Sequence, residues 1–413
     1  MIKFDKFQLS NGLRVIVHQD KSTPIACLNI LYDVGARDEH PEQTGFAHLF
    51  EHLMFGGSIN IENYDEPLQL VGGENNAFTT NDITNYYLTL PVENLETGFW
   101  LESDRMLSLA FSDKSLEVQR NVVIEEFKQR YLNQPYGDVW LLLRPMAYKV
   151  HPYMWDTIGK EISHIENAKI EDVRNFFKKY YCPNNAIMVV AGNVEVEEVK
   201  RLAEKWFGSI PKGPENKRNL PKEPVQTEER TLIVERNVPV DAIYKAYHMC
   251  SRKDKAYYAV DLLSDILSQG NSSRLHKTLI KEKKLFSDIH AYVSGEFDEA
   301  LFMITGKLAQ GVSIETGEAA ILQELEKIKK DLVTAEELTK VKNKTEATHV
   351  FGEVEVLNKA TNLAVSELLG NANLINEEID YYVAVSAEDI NRQANLIFQK
   401  ENCSTLYYKS KSN

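Results

Sequence analysis

Cysteine and long apolar segments are scarce in this chain. Its 413 residues include four cysteines, which are far apart and form no C-x-x-C pair: Cys27, Cys182, Cys250 and Cys403. This spacing disfavours a disulfide framework and a cysteine-based zinc site, so buried free thiols are expected. No apolar run approaches the roughly 18 residues that span a bilayer, and the N-terminus lacks the cationic and apolar regions of a signal peptide. We therefore expect a cytoplasmic protein with no membrane partner.

Positive charge is also in deficit. Lysine and arginine total 47 against 61 aspartates and glutamates, which gives a net charge of −14. Because contacts with phosphates need a basic surface, we expect no nucleic-acid partner. Acidic groups favour cationic partners where they line a cavity. The hydrophobic fraction of 43% and the charged fraction of 26% are typical of a soluble globular protein with a real core.

One proline-rich segment divides the chain into halves of similar length. Residues 211–230 hold four of the thirteen prolines and almost no apolar residues. Such a segment cannot pack a core, and its prolines keep it extended, so it is typical of a linker. The sequence therefore predicts an N-terminal domain over residues 1–212, a linker over 213–230 and a C-terminal domain over 231–413.

The two halves end in similar patterns. Residues 169–173 precede a helical stretch and an apolar strand at 186–192, and residues 386–390 precede another helical stretch and a strand at 405–408. The spacing between the matching positions Asp172 and Asp389 is 217 residues. We therefore predict an α+β fold of two homologous α/β-sandwich domains, with helices packed on the strands.

Local patterns predict the elements of the first half. Asn11-Gly12 favours a hairpin between residues 7–9 and 13–18. Residues 44–55 read as a helix that ends before Gly56-Gly57. Residues 76–90 alternate between apolar and polar residues as one strand does, and residues 115–130 are helical in pattern.

The pentapeptide His48-Leu49-Phe50-Glu51-His52 carries the strongest chemical signal. At about 100° per residue, Glu51 and His52 lie about 60° and 40° to either side of His48, so all three side chains share one helix face. Two imidazoles four residues apart can hold one zinc ion, and the carboxylate between them can reach a water on that metal. This H-x-x-E-H order is the inverse of the H-E-x-x-H zinc signature. A buried apolar helix is otherwise a costly place for these groups.

A third ligand must come from elsewhere, because catalytic zinc usually has three protein ligands and one open position. The helix predicted over residues 116–130 contains Glu125 and Glu126. These two side chains differ by about 100° around a helix, so spacing alone does not choose between them.

The chain resembles the pitrilysin family of zinc peptidases, to which the insulinases and the mitochondrial processing peptidases belong, and it is similar to the short two-domain bacterial members. The similar segments are the pentapeptide, R-x-V-V-x-x-E at 120–126, G-G-E-N-N-A-F-T-T at 72–80, N-Y-Y at 85–87, H-P-Y at 151–153, Y-C-P-N-N-A at 181–186 and L-S-N-G-L-R-V at 9–15. The resemblance covers essentially the whole chain and is most specific in the first half.

The resemblance implies one zinc ion per chain, held by His48, His52 and Glu126. It also implies that Glu51 is the general base that activates the zinc-bound water. Family members often have another glutamate seven residues before the third ligand, where this chain has Gln119. A glutamine can orient a ligand by hydrogen bonding but adds no charge.

The resemblance further implies where substrate binds. Asn76, Ala77 and Phe78 occupy the strand on whose edge family members hold the peptide, although ordinary sheet pairing is the alternative for this segment. Arg274, in the segment N-S-S-R-L, is expected to face the substrate, with helix capping or pairing with a carboxylate as the alternative. Many relatives have a tyrosine where this chain has Phe286, so a hydroxyl donor is missing that a partner subunit could supply.

The predicted function is that of a zinc-dependent peptidase that hydrolyses peptides or unfolded polypeptides enclosed in a chamber. Because longer relatives carry four such domains, we expect two chains to pair as a homodimer or as a heterodimer with a homologous chain. The alternative is a catalytic or regulatory subunit of a heterodimeric processing peptidase that is active only with its partner. A purely structural zinc site is disfavoured, because such sites are normally closed by four ligands.

Overall fold

The protein is described here from a computed structural model, which covers residues 1–411. The described chain forms two compact units, each of which is discontinuous in sequence. Unit 1 consists of Met1–Phe127, Trp155–Leu220 and His349–Glu377, and unit 2 of Lys128–Met154, Pro221–Thr348 and the described residues from Glu378 onward. The domain boundaries at residues 212 and 231 stay a prediction.

Both halves of the sequence contain strands and helices, which follow one another in short runs. The strands are β1 (Asp5–Gln8), β2 (Arg14–Gln19), β3 (Ile25–Tyr32), β4 (Glu74–Thr79), β5 (Thr84–Pro91), β6 (Ala186–Gly192), β7 (Arg230–Arg236), β8 (Ala242–His248), β9 (Phe286–Val293), β10 (Leu301–Leu308) and β11 (Cys403–Ser410). The helices are α1 (Phe46–Leu53), α2 (Asp65–Leu70), α3 (Leu95–Leu107), α4 (Asp113–Phe127), α5 (Val139–Ala147), α6 (Ile162–Glu166), α7 (Ile170–Tyr180), α8 (Val196–Phe207), α9 (Tyr257–Ser268), α10 (Ile314–Lys330), α11 (Ala335–Gly352), α12 (Val356–Leu368), α13 (Leu374–Ala384) and α14 (Ala387–Ile397).

The sheet of unit 1 has the strand order β1-β2-β6-β3-β5-β4. Strands β2 and β6 are parallel, and the other neighbours are antiparallel. Every residue of β6 is buried, as expected for a strand covered on both faces. The predicted hairpin is confirmed, because β1 and β2 pair around Gly12, whose φ of 94° lies in the left-handed region.

The alternating segment 76–90 is two strands and not the single strand that the pattern predicts. A turn between β4 and β5 separates them, and the backbone N–H of Thr80 donates to the carbonyl of Ile83 at 2.8 Å. The Thr80 hydroxyl also accepts from the backbone N–H of Asp82 at 3.1 Å. A hydroxyl side chain followed by Asn-Asp is local turn chemistry, and it reverses the chain so that β4 becomes an edge strand.

Unit 2 repeats the topology of unit 1. Its sheet has the order β7-β11-β8-β10-β9, in which the first strand runs parallel to the last and the rest are antiparallel. Removing β1 from the sheet of unit 1 leaves the same order of first, last, second, fourth and third strand. The α+β fold with two homologous α/β domains is therefore confirmed.

Each sheet is covered by a helix from the other half of the sequence. In unit 1, α12 packs on β3 and β6, while α3 packs on β3 and β5 on the opposite face. In unit 2, α5 packs on β8 and β11, while α10 lies across the other face of β8. Each unit therefore needs both halves of the chain to complete its layers.

Side-chain hydrogen bonds hold the proline-rich segment to the rest of the protein at two positions. In unit 1, the Arg218 guanidinium donates to the carboxylates of Asp33 and Asp38, each at 2.7 Å. In unit 2, the buried Glu223 carboxylate accepts the backbone N–H groups of residues 149–151 at 2.7 to 2.9 Å. The extended segment predicted from its prolines is thus held by side-chain contacts. Across residues 1–411, no helix combines the length and the apolar character that a bilayer crossing requires.

Candidate metal centre

A buried carboxyl group lies at the start of helix α1. Gly45, with φ 87°, precedes the helix. The oxygens of the Glu39 carboxyl group accept the backbone N–H of Gly45 at 2.9 Å and that of Ala47 at 2.8 Å. They thereby satisfy donors that a helix N-terminus leaves unpaired. The helix predicted over residues 44–55 is confirmed, with its ends at Phe46 and Leu53.

The apolar face of α1 fixes the rotation of the helix. Phe50 is buried and stacks on Phe176 and Tyr181, with ring centroids 5.0 Å apart in both cases. The Tyr86 hydroxyl donates to the carbonyl of Phe50 at 3.3 Å. With this side locked against the body of unit 1, His48, Glu51 and His52 share the remaining, half-buried face.

Two histidines of α1 and one glutamate of α4 come together. The Nε2 atoms of His48 and His52 lie 3.3 Å apart. Glu126 Oε2 lies 3.6 Å from His48 Nε2 and 3.4 Å from His52 Nε2. The exposed fractions of these side chains are 12% for His48, 24% for His52 and 18% for Glu126, so the cluster is sheltered but accessible.

These donors fit a zinc ion. Tetrahedral zinc with bonds of about 2.0–2.2 Å requires donor atoms roughly 3.3–3.6 Å apart, and the three observed separations run from 3.3 to 3.6 Å. Two imidazole nitrogens and one carboxylate oxygen are the donor types of catalytic zinc sites with an open position. In the described part of the chain, one group of at least three histidine, cysteine or acidic side chains is close enough to share a metal, and it consists of these three residues.

The structure distinguishes the two adjacent glutamates of α4. Glu126 is half-buried and lies beside both histidines, whereas Glu125 is exposed. Spacing along the helix left this choice open. Gln119, seven residues earlier, is half-buried, and its Nε2 lies 3.8 Å from the position that a Cβ atom would take on Gly56. The amide therefore lies next to the end of α1, and its role as an orienting residue stays a prediction.

Glu51 is not one of the three clustered donors. Its Oε2 accepts a hydrogen bond of 2.6 Å from the hydroxyl of Thr79, the last residue of β4. Burial raises the pKa of Tyr86 and Tyr181 well above the ordinary value, and the charge of Glu51 raises both further. Two neutral phenols thus lie near this carboxylate at neutral pH.

The predicted substrate residues are divided between the units. Asn76, Ala77 and Phe78 lie on β4, the edge strand of the unit 1 sheet. In unit 2, the Arg274 guanidinium donates two hydrogen bonds to the Glu337 carboxylate, at 2.7 and 2.9 Å. Pairing with a carboxylate was the predicted alternative to facing the substrate. Phe286 is buried in the apolar core of unit 2.

Sequence reasoning missed three residues around α1. Thr79 follows Ala77 by two positions, so strand periodicity could have placed both on one face once β4 was recognised. Nothing local indicates that Glu39 caps α1 or that Tyr86 supports Phe50, because both contacts arise from tertiary packing.

Comparisons with known proteins place the chain among peptidases. Residues 14–147 match the family described as Insulinase (Peptidase family M16), and residues 167–345 match Peptidase M16 inactive domain. A relative named zinc protease PqqE, from Helicobacter pylori, is 31% identical over 416 residues, which cover 98% of this chain and 93% of the relative. A probable mitochondrial-processing peptidase subunit beta from Arabidopsis thaliana is 25% identical over 269 residues, covering 64% of this chain and 50% of the relative.

A solved structure extends the similarity to three dimensions. The crystal structure of a protease from Helicobacter pylori matches with a TM-score of 0.93 and 30% identity, covering 99% of this chain and 100% of that one. The sequence relative and this structure each cover nearly the full chain, so the similarity extends beyond the metal cluster. The chain belongs to peptidase family M16, the insulinase family.

Proposed function

We propose that this chain is a zinc-dependent endopeptidase with one zinc ion, held by His48, His52 and Glu126, and with Glu51 as its general base. The observation that carries the proposal is the triangle of donor atoms, with sides of 3.3 to 3.6 Å, next to a carboxylate outside that triangle. A structural zinc site would normally recruit a fourth protein ligand. The name zinc protease, borne by a relative that is 31% identical, supports the same assignment.

The chemistry follows from these side chains. Zinc, when bound, supplies a Lewis acid that polarises the scissile carbonyl and acidifies a water molecule. Glu51 accepts a proton from the attacking water while the new C–O bond forms. The same proton then passes from Glu51 to the amide nitrogen as the C–N bond breaks, so Glu51 returns to its starting state.

Substrate binding is proposed at the free edge of β4, through Asn76, Ala77 and Phe78. An extended peptide added to a sheet edge gains backbone hydrogen bonds whatever its sequence. This mode suits peptides and unfolded polypeptides, and the net charge of −14 favours basic ones. Substrate contact by Arg274 stays a prediction, because its guanidinium is paired with Glu337.

Two chains of this kind are proposed to enclose a chamber, as a homodimer or with a homologous chain. The alternative is a subunit of a heterodimeric processing peptidase that is active only with its partner. Similarity to a protein named as a processing-peptidase beta subunit favours keeping this alternative. Location in the cytoplasm stays a prediction.

The decisive experiment measures bound zinc and the cleavage of an unstructured peptide, for the chain alone and mixed with a homologous chain. Glu51→Gln is expected to keep its zinc and to lose activity by about 100-fold or more. Glu126→Gln is expected to lose zinc, and its neighbour Glu125→Gln, the matched control, to keep both zinc and activity. Removing zinc with a chelator is expected to abolish cleavage, and adding zinc back to restore it.

Other outcomes have distinct meanings. Cleavage that appears only in the mixture supports the heterodimer. Wild-type zinc affinity in Glu126→Gln contradicts the ligand set. Tightly held zinc without cleavage in either arrangement supports a structural metal site and refutes the peptidase.

A further inference from the structure

The hydrogen bond between Thr79 and Glu51 joins the two elements that the proposed reaction needs. Glu51 lies on α1, and Thr79 ends β4, the strand whose edge is proposed to bind the peptide. The donor–acceptor distance of 2.6 Å is short, as expected when a hydroxyl donates to a charged carboxylate. Thr79 pairs with Thr84 across the sheet and shares a strand face with Ala77, whose partner Tyr86 donates to α1.

The Thr79 hydroxyl is held in a defined position. The turn that follows it is fastened to the neighbouring segment, because Ala36 donates its backbone N–H to the Thr80 carbonyl at 3.1 Å. Gly35 lies so close to the same turn that a Cβ atom there would be 2.5 Å from the Asn81 backbone. A β-branched side chain also has few rotamers. Thr79 is thus a stiff donor on a rigid strand end.

We infer that Thr79 is a positioning residue for Glu51. This inference rests on the proposed function. A glutamate side chain has several rotatable bonds, and fixing them before the reaction removes an entropic cost from the proton-transfer step.

The contact places the general base beside the strand that is proposed to bind the peptide. A peptide on the edge of β4 would lie against the same strand that orients the base, two residues from Ala77. The contact therefore acts on the chemical step and leaves docking on the strand edge unchanged. The expected signature is a lower kcat with an unchanged KM.

The test uses two substitutions at Thr79. Thr79→Val keeps the shape and removes the hydroxyl, and it is expected to lower kcat about 10- to 100-fold with KM within about twofold of wild type. Thr79→Ser restores the donor and is expected to recover most of the rate. Thr89→Val is the matched control, since Thr89 is a half-buried strand residue at the opposite end of the β4–β5 pairing, across from Glu74.

Two further measurements separate positioning from damage. Bound zinc per chain in Thr79→Val should equal that of wild type. In metal-free protein, the changes in the free energy of unfolding, measured in urea, should be non-additive for Thr79→Val, Glu51→Ala and the double variant, because the two residues share one contact. Additive free-energy changes refute the contact.

The kinetic outcomes separate this inference from the function on which it rests. If wild type cleaves peptides and Glu51→Gln does not, but Thr79→Val keeps a wild-type kcat, the positioning role is refuted and the peptidase stands. A slow Thr79→Val that serine does not rescue also refutes it. Activity in Glu51→Gln, or none in wild type under any condition, overturns both.

Discussion

The stability of unit 1 should be sensitive to the loss of a fully buried ion pair on α3. Arg105 and Glu102 on α3 are 1% and 0% exposed and share two hydrogen bonds, at 2.8 and 2.5 Å. The Arg105 guanidinium also lies 4.6 Å from the Tyr64 ring centroid and 4.5 Å from that of Tyr86. Burial opposes the charge of Arg105, yet Glu102 beside it raises its pKa, so the guanidinium stays charged.

Arg105→Met would leave the Glu102 carboxylate buried without its counter-charge. Breaking such a pair typically costs about 3–5 kcal/mol. Adding Glu102→Gln should recover about 2 kcal/mol or more, because the uncharged amide oxygen can still accept the 2.6 Å hydrogen bond from the Tyr64 hydroxyl. The free energy of unfolding is measured in urea by tryptophan fluorescence in a Trp140→Phe background, where the remaining tryptophans, at 100, 155 and 206, all lie in unit 1.

An exposed copy of the same geometry provides the control. Arg201 and Glu198 on α8 are also three residues apart and hydrogen-bonded at 2.8 and 2.7 Å, but their side chains are 54% and 47% exposed. Arg201→Met should destabilise the protein far less, because solvent screens the charges of an exposed pair. If the two arginine variants differ by less than about 1 kcal/mol, burial is not what makes the Arg105 pair important, and the reasoning fails.

Two more predictions concern single carboxyl groups. Burial raises the pKa of Glu39 to about 8. Its contribution to stability is therefore complete below about pH 4.3 and is lost as the pH rises through about 8. Unit 1 should unfold more easily in urea at about pH 8.5 than at about pH 5, and Glu39→Gln should weaken this pH dependence. An unchanged pH dependence in Glu39→Gln would contradict the assignment. Glu223 accepts three backbone N–H groups. Glu223→Ala should therefore lower the free energy of unfolding by about 1–3 kcal/mol and speed proteolytic cleavage within residues 213–230. Equal cleavage rates would mean that this contact does not hold the segment in place.

Local sequence was sufficient for the parts of the site that lie within one helix. The spacing of His48, Glu51 and His52 fixes their common face, because the period of the α-helix is constant. The choice between Glu125 and Glu126 depends on how α4 is rotated against α1, which spacing along one helix does not contain. The resemblance to a family supplied Glu126, and the packing of the two helices brings that side chain to the histidines.

Features made by distant segments were beyond the reach of pattern reading. The Arg274–Glu337 pair joins residues 63 positions apart, and the Thr79–Glu51 contact depends on a turn that the alternating pattern of residues 76–90 concealed. The two compact units exchange segments, because α5 and α12 each cover the sheet formed by the other half of the sequence. No change in composition along the chain indicates this exchange. Propensity and periodicity report local preference, whereas these contacts depend on which surfaces meet.

The exchange of covering helices delays the completion of unit 1 during protein synthesis. The last strand of the unit 1 sheet ends at Gly192, but the helix that covers its buried face starts at Val356, 164 residues later. At translation rates of about 5–20 residues per second, the ribosome needs roughly 10–30 s to deliver it. During that interval the nascent chain exposes an apolar sheet face. A truncated mRNA that ends after the proline-rich segment would therefore yield a polypeptide prone to aggregation.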